Sequence, residues 1–328
     1  MYDENFLERL EVGLREALPS WGLEKSAPLS LLNISENATY RAEDTRSAKK
    51  LILRVHRPNY HTEAEIRSEL AWVADLSAND VVSTPPPIPT IDGSFLVTFS
   101  DGETLRQAVA FEHMTGAEPH TTTDLVKWYG RLGEITARLH RHSRIWRRPD
   151  GFVRKNWVFD TLIGDGAHWG DWRNAPGLEK SGLRVLERAQ VRLGAHTAAY
   201  GQGPDRFGLI HSDMRTANLL VDGERLSVID FDDCGLSWFG YDFAASVTFM
   251  EHEPIMPDLM GAWLEGYRRI SPFAEEHADA LPMFVMIRRM QIGAWLASHA
   301  ETPTAQAMGS NYTHGTVELA ERYLGRPD

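Results

Sequence analysis

Cysteine is nearly absent from this 328-residue chain, which contains only Cys234. A single cysteine excludes an internal disulfide framework and a zinc site built from several thiolates. The chain also lacks an apolar run of the ~18 residues that a membrane span needs. Its N-terminus carries Asp3, Glu4 and Glu8 where a secretory signal would carry basic residues. We therefore expect a cytoplasmic protein, in a reducing compartment and without a membrane partner.

Basic residues are too few for a nucleic-acid-binding protein. Lys and Arg total 34 against 46 Asp and Glu, a formal charge of -12, whereas phosphate backbones require a basic surface. Three common catalytic signatures are also missing: G-x-S-x-G, H-E-x-x-H and the P-loop G-x-x-x-x-G-K-[ST]. We expect no nucleic-acid partner, and the sequence leaves the oligomeric state open.

Apolar periodicity divides the chain near residue 115. Residues 4–18 predict an amphipathic helix. Three strands are predicted at 29–34 (LSLLNI), 38–43 (ATYRAE) and 49–56 (KKLILRVH), and residues 61–78 predict a second helix. A hairpin follows about an Asp-Gly turn at 101–102, and helical patterns dominate thereafter. This order predicts an α+β fold with a small β-rich lobe and a larger, mainly helical lobe. The predicted divisions are an N-terminal helix extension, 1–28, a nucleotide-binding lobe, 29–114, and a helical lobe with the catalytic loop and acceptor site, 115–328.

The stretch LIHSDMRTANLLVDGERLSVIDFDD, residues 209–233, places polar side chains between short apolar runs. Asp213 and Asn218 lie on a loop entering a predicted hairpin, and Asp230 follows its second strand. We therefore expect the three side chains to meet at one edge of a small sheet. Asp and Asn before turns are also common local hydrogen-bonding residues. However, the spacing H-x-D-x-x-x-x-N followed by a strand-terminal Asp is typical of phosphoryl transfer from a magnesium-bound nucleotide.

The segments HSDMRTANLLV, VIDFDD and GYDFA together resemble the aminoglycoside phosphotransferase family, also called the phosphotransferase enzyme family. The resemblance runs from about residue 28 to 300 and is nearest to the branch of homoserine kinase type II and stress-response kinases. It implies a bilobal protein-kinase-like fold with ATP bound between the lobes. It also implies Asp213 as the catalytic base, and Asn218 and Asp230 as ligands of Mg²⁺.

The resemblance further implies a phosphate-binding cation on a strand of the smaller lobe. Arg54 in LILRVHR stands where the family has a lysine; arginine keeps the charge and adds a planar fork. Its expected ion-pair partner is Glu69, with Glu65 one turn earlier as the less favoured choice. Lys49 and Lys50, at the start of the same strand, are the alternative cations.

Two segments of the smaller lobe complete the expected nucleotide site. The turn SENATY lacks the glycines of a typical phosphate-covering loop, so Ser35 and Asn37 are the expected phosphate contacts there. AFEHMTG occupies the position of the family's inter-lobe hinge. By resemblance, backbone groups of Glu112 and Met114 hold the adenine edge.

Three other features attract a catalytic interpretation that the sequence does not favour. His211 is expected to be a packed histidine that holds its loop by hydrogen bonds. Asp242 in GYDFA, by resemblance, braces that loop without touching substrate. The tryptophans of HWGDW, residues 168–172, either line an acceptor pocket or pack in the core.

We predict an ATP- and Mg²⁺-dependent kinase that moves the γ-phosphate onto a hydroxyl of a small-molecule acceptor. The alternatives are a serine/threonine protein kinase of the bacterial stress-response type and a non-catalytic nucleotide-binding regulator. Only about a dozen residues separate Asp230 from Asp242, too few for a long activation loop. Ser212 also replaces the arginine that would contact a phosphorylated loop. Both observations favour a small acceptor.

Overall fold

The chain forms two compact units. A computed structural model describes residues 4–34, 37–47, 49–119 and 125–326. The first unit comprises Met1–Gly116 with Arg147–Arg154, and the second comprises Ala117–Trp146 with Lys155–Asp328. The division falls two residues beyond the boundary that the sequence predicts, and a short segment from the helical half joins the first unit.

The first unit is an antiparallel sheet with two helices. Its strands follow the order β1-β2-β3-β6-β4, and β5 also pairs with β6. The two-residue β4 contains a proline and lies at the sheet edge, where the missing N–H costs no ladder hydrogen bond. In chain order the elements are α1 (Glu4–Ala17), β1 (Leu29–Ile34), β2 (Ala38–Glu43), β3 (Lys50–Val55), α2 (Glu63–Ala78), β4 (Pro87–Ile88), β5 (Val97–Ser100) and β6 (Leu105–Glu112).

One face of this sheet is closed by the N-terminal helix. Leu10 and Leu14 of α1 join the same buried cluster as Tyr40 of β2 and Leu51 and Leu53 of β3. Side chains alternate between the faces of a strand, so the residues between these leucines point to the opposite face. The helix predicted as an extension is thus part of the first unit's core.

The second unit is mainly helical and contains two small antiparallel strand pairs, β7 with β10 and β8 with β9. In chain order its elements are α3 (Leu125–Ile145), α4 (Phe159–Ile163), α5 (Lys180–Tyr200), β7 (Phe207–Ile210), β8 (Leu219–Asp222), β9 (Arg225–Val228), β10 (Gly235–Trp238), α6 (Phe239–Ser246), α7 (Met256–Ile270), α8 (Glu275–Asp279), α9 (Leu281–Ser298) and α10 (Pro303–Leu324). The predicted combination of a sheet-rich part and a helical part is confirmed.

Helices α3 and α7 pack with their backbones in contact. A Cβ at Gly266 would lie 1.9 Å from the carbonyl oxygen of Gly130, and one at Gly133 would lie 2.1 Å from that of Trp263. Any larger residue at Gly133 or Gly266 would therefore force the two helices apart. None of the helices in the described part of the chain is long and apolar enough to cross a membrane.

Candidate active site

Two loops of the second unit meet because of how its strands pair. Residues 211–218, the Asp213 loop, connect β7 to β8, and residues 229–234, the Asp230 loop, connect β9 to β10. In the pairings, Ile210 lies opposite Gly235 and Leu219 lies opposite Val228, so both loops leave the strands at the same end. The sequence predicts these loops at one edge of one small sheet; the strands instead form two separate pairs, and the loops meet where the two pairs end.

Within the Asp213 loop, Asn218 is hydrogen-bonded directly to Asp213. Its Nδ2 donates to Asp213 Oδ2 at 2.8 Å and to the Asp213 carbonyl oxygen at 2.8 Å. Both acceptors are oxygens, so the amide orientation is determined by this network. Asn218 Oδ1 accepts no hydrogen bond from the described residues and is available as a hard oxygen ligand.

The Asp213 loop is held by hydrogen bonds from its backbone to the side chain of Asp242. The carboxylate of this fully buried residue accepts the backbone N–H of Ser212 at 2.7 Å and that of His211 at 3.3 Å. The His211 ring is buried; Nε2 lies 3.1 Å from the Ile229 carbonyl oxygen, and Nδ1 accepts the Asp213 N–H at 3.2 Å. His211 and Asp242 therefore have the packing and bracing contacts expected of them.

Asp242 is itself oriented by a buried histidine of α3. Nε2 of His140 lies 2.9 Å from Asp242 Oδ2, and Nδ1 lies 3.0 Å from the hydroxyl of Tyr267. Because a carboxylate only accepts, Nε2 carries the hydrogen and Nδ1 accepts from the tyrosine. Burial lowers the pKa of His140, although Asp242 acts in the opposite direction. The ring is thus neutral near pH 7.

Two of the five non-glycine residues with positive φ in the described part of the chain lie in the Asp213 loop and the Asp230 loop. Ser212 has φ 72° and Asp230 has φ 62°, in a left-handed region that residues with a Cβ rarely adopt. Such conformations persist where the surroundings impose them and are frequent at functional sites. Asp230 lies two residues beyond β9 and is exposed to solvent, as a ligand for a metal–nucleotide complex requires.

Arg288 of α9 is a contact of Asp213 that the sequence interpretation missed. Its Nη2 lies 2.6 Å from Asp213 Oδ1, and its guanidinium carbon lies 5.1 Å from the ring centroid of Trp169. The tryptophan of HWGDW thus packs on a side chain bound to the proposed base. The sequence carried a signal: α9 is mostly apolar but contains Arg288 and Arg289, and a buried arginine needs an anionic or polar partner.

In the first unit, Arg54 and Glu69 form a buried ion pair. Nη2 of Arg54 lies 2.7 and 2.6 Å from the two carboxylate oxygens of Glu69. Arg54 reaches α2 because it lies on the face of β3 opposite Leu53. Glu65 instead forms a capping box with Thr62 at the start of α2, and this removes it as the partner.

Three of the four remaining expected nucleotide contacts lie within the described residues. Ser35 is outside the described residues. Asn37 is half-buried, and its Oδ1 accepts the backbone N–H of Arg57 at 3.0 Å. Glu112 ends β6, and its N–H donates to the Pro86 carbonyl oxygen at 3.1 Å. Met114 follows, half-buried.

Comparison with known proteins places most of the chain in one family. Residues 31–273 match the model of the phosphotransferase enzyme family. Amicoumacin kinase from Bacillus subtilis (strain 168) is 20% identical over 293 residues, which are 85% of this chain and 82% of that protein.

Two solved structures are similar over almost the whole chain. A microcompartment-associated aminopropanol kinase is 42% identical with a TM-score of 0.88, over 95% of this chain and 96% of that one. The amicoumacin kinase hAmiN, in complex with AMP-PNP, Ca²⁺ and Ami, is 20% identical with a TM-score of 0.77, over 97% and 94%. At that identity the second likeness shows the fold alone. The predicted protein-kinase-like fold is confirmed.

Proposed function

Since this chain belongs to the phosphotransferase enzyme family and is a small-molecule phosphotransferase, we propose that it transfers the γ-phosphate of ATP to the hydroxyl of a small amino alcohol. The observation that carries the proposal is the 2.8 Å hydrogen bond between Asn218 Nδ2 and Asp213 Oδ2. It joins, on one braced loop, a carboxylate suited to receive a proton and an amide whose oxygen is left for a metal ion.

The role of Asp213 follows from its surroundings. Its side chain is 15% exposed, so the carboxylate is reachable from solvent while its donors keep it oriented. Placed beside the acceptor hydroxyl, it orients the O–H for attack and accepts the proton as the new O–P bond forms and the bond from the γ-phosphorus to the leaving ADP breaks. Ser212 and His211 donate their backbone N–H groups to Asp242, and this holds the base in place during the reaction.

Asn218 and Asp230 supply an oxygen donor set that suits a hard divalent cation. Asn218 offers a side-chain oxygen without a donor among the described residues, and Asp230 an exposed carboxylate at the neighbouring loop. Mg²⁺ prefers such ligands together with phosphate oxygens. When bound, Mg²⁺ supplies charge neutralisation on the transferred phosphate and screens the repulsion between the two aspartates.

The first unit would contribute the nucleotide contacts. Arg54, held in place by Glu69, presents a cation for the α- and β-phosphates. The N–H of Glu112 is already used by Pro86, so its carbonyl group would accept from the adenine amino group and the N–H of Met114 would donate to the ring. Asn37, whose Oδ1 accepts the Arg57 N–H, would be one further phosphate contact, and Ser35, outside the described residues, would be the other.

An amino alcohol is the favoured acceptor because of the 42% identity to the aminopropanol kinase. A carboxylate near the base also suits an ammonium group. Asp233 is half-buried in the Asp230 loop, and its negative charge acts on both Arg288 and Tyr241. An ammonium group bound there would place the acceptor's positive end beside anionic groups, which lowers the cost of its desolvation.

The two alternative functions are less well supported. A peptide-binding activation loop has no room, because β10 and the start of α6 occupy residues 235–242. A non-catalytic regulator would not need the contact between Asn218 and Asp213 or the brace from Asp242. Neither alternative is favoured by a specific observation.

A coupled ADP-release assay tests the proposal. The purified chain is supplied with Mg·ATP and, separately, 1-amino-2-propanol, ethanolamine, choline, homoserine, an aminoglycoside and a generic protein substrate. We expect the highest kcat/KM for an amino alcohol with a primary amine. The matched control is 2-propanol, which is 1-amino-2-propanol without its amino group. Equal turnover of 2-propanol would contradict the acceptor assignment, and turnover of the protein substrate alone would favour the protein kinase.

A further inference from the structure

Arg288 binds the carboxylate to which the reaction assigns the acceptor proton. The Arg288–Asp213 contact of 2.6 Å joins side chains that are 3% and 15% exposed. Charge-assisted hydrogen bonds of this length are among the strong ones in proteins. We propose that Arg288 is a positioning residue, which fixes the orientation of the Asp213 carboxylate toward the acceptor hydroxyl. This inference rests on the proposed function.

The hydrogen bonds of Asp213 show why a fixed orientation follows. A carboxylate offers about four acceptor positions on its two oxygens. Among the described residues, Arg288 donates to Oδ1, while Asn218 and Arg215 donate to Oδ2 at 2.8 and 3.3 Å. Donors on both oxygens prevent rotation about the Cβ–Cγ bond. One acceptor position remains, and it is the position that an acceptor hydroxyl would use.

Arg288 is held as firmly as the carboxylate that it binds. Its Nε donates to Thr248 Oγ1 at 3.0 Å, and its Nη1 lies 3.4 Å from both Tyr241 and Gln291 oxygens. Its guanidinium also packs on Trp169. Burial acts to lower the pKa of Arg288, but Tyr241 and the paired carboxylate outweigh it and the pKa is raised. A long side chain that would otherwise sample many rotamers is thus a fixed cation.

The next residue provides a comparison within the same helix. Arg289 is also buried, and its Nη1 lies 2.7 Å from Glu251 Oε2 while its Nε donates to Thr316 at 3.0 Å. Both arginines lie on the buried helix α9, and each pairs with a carboxylate of another element. Of the two, only Arg288 pairs with a residue of the Asp213 loop, so Arg289 serves as the matched control for loss of a buried ion pair.

The test compares Arg288→Ala, Arg288→Lys and Arg289→Ala by steady-state kinetics and thermal unfolding. For Arg288→Ala we expect kcat to fall roughly tenfold to a hundredfold, the size of a lost charged hydrogen bond, with the KM for ATP unchanged within about twofold. Millimolar guanidinium chloride, far below denaturing concentrations, should restore part of kcat, and equal sodium chloride or urea should not. Arg288→Lys should retain more activity than Arg288→Ala.

Arg289→Ala should lower the Tm, leave kcat of the folded protein near that of the wild type, and not respond to guanidinium. If Arg288→Ala does not fold, Thr248→Val removes the contact that holds Nε, and a severalfold lower kcat at a near-normal Tm is expected. Wild-type kcat in a folded Arg288→Ala or Thr248→Val protein would overturn the inference. So would matching losses in Arg288→Ala and Arg289→Ala without guanidinium rescue. A wild-type protein that releases no ADP with any acceptor, or with water, would refute the proposed function itself.

Discussion

Replacing Arg54 by methionine removes two roles that this side chain would combine. Arg54 neutralises Glu69, which is fully buried, and we propose that it also binds the α- and β-phosphates of ATP. Removing one partner of a buried ion pair costs about 3–5 kcal/mol, a large part of the about 5–15 kcal/mol that stabilises a typical domain. A single substitution therefore lowers stability and ATP binding together.

The double variant Arg54→Met/Glu69→Met isolates the second role. Replacing both partners by apolar residues removes the uncompensated buried charge, so the Tm should return close to the wild-type value. The lost phosphate contact is worth about 1.5–3 kcal/mol, so the KM for ATP should stay raised by roughly tenfold to a hundredfold. Arg54→Lys should keep most of the activity, because an ammonium group can bind both Glu69 oxygens and still neutralise phosphate.

Steady-state kinetics for ATP and thermal unfolding, measured on the same preparations, decide the matter. The matched control is Lys49/Lys50→Met, since both lysines are exposed at the start of β3 and Lys50 lies 3.7 Å from Glu43. A wild-type KM for ATP in the Arg54/Glu69 double variant would show that Arg54 only neutralises Glu69. A raised KM in the lysine variant alone would move the phosphate contact to Lys49 or Lys50.

Three further predictions address the second unit. Asp213→Asn, which keeps a hydrogen-bond acceptor for Arg288 but removes its counter-charge, should lower kcat by at least about a hundredfold and also lower the Tm; wild-type turnover in the folded variant would remove Asp213 as the base. Asp230→Ala should weaken Mg·ATP binding in calorimetric titration, and equal affinity would make Asp230 structural. Burial lowers the pKa of His140 below its usual 6.5, so below about that pH the unfolded chain binds the proton and the folded chain does not, and the free energy of unfolding falls. The Tm difference between pH 7.5 and 5.5 should shrink in His140→Gln, and an unchanged difference would contradict this account.

Local patterns in the sequence determined the elements of the fold. The strands at 29–34 and 38–43 have the predicted bounds, because alternating apolar residues and flanking turn residues act within a few positions of each other. The meeting of Asp213, Asn218 and Asp230 at neighbouring loops was equally predictable, since a hairpin with an Asp-Gly turn brings the residues before and after it together. The catalytic and metal-binding roles of these residues stay predictions.

Contacts between residues far apart in the chain were decided only by the tertiary structure. Arg288 lies 75 positions after Asp213, and its helix α9 is apolar on nearly every side, so its periodicity does not show which face meets the Asp213 loop. The same holds for His140, which reaches Asp242 of α6 across 102 positions, while the glycines of α3 let α7 approach and bring Tyr267 to the other ring nitrogen. A local pattern records whether a side chain is buried, whereas its partner depends on how separate elements pack. The groups that orient the proposed base therefore became visible only in the folded chain.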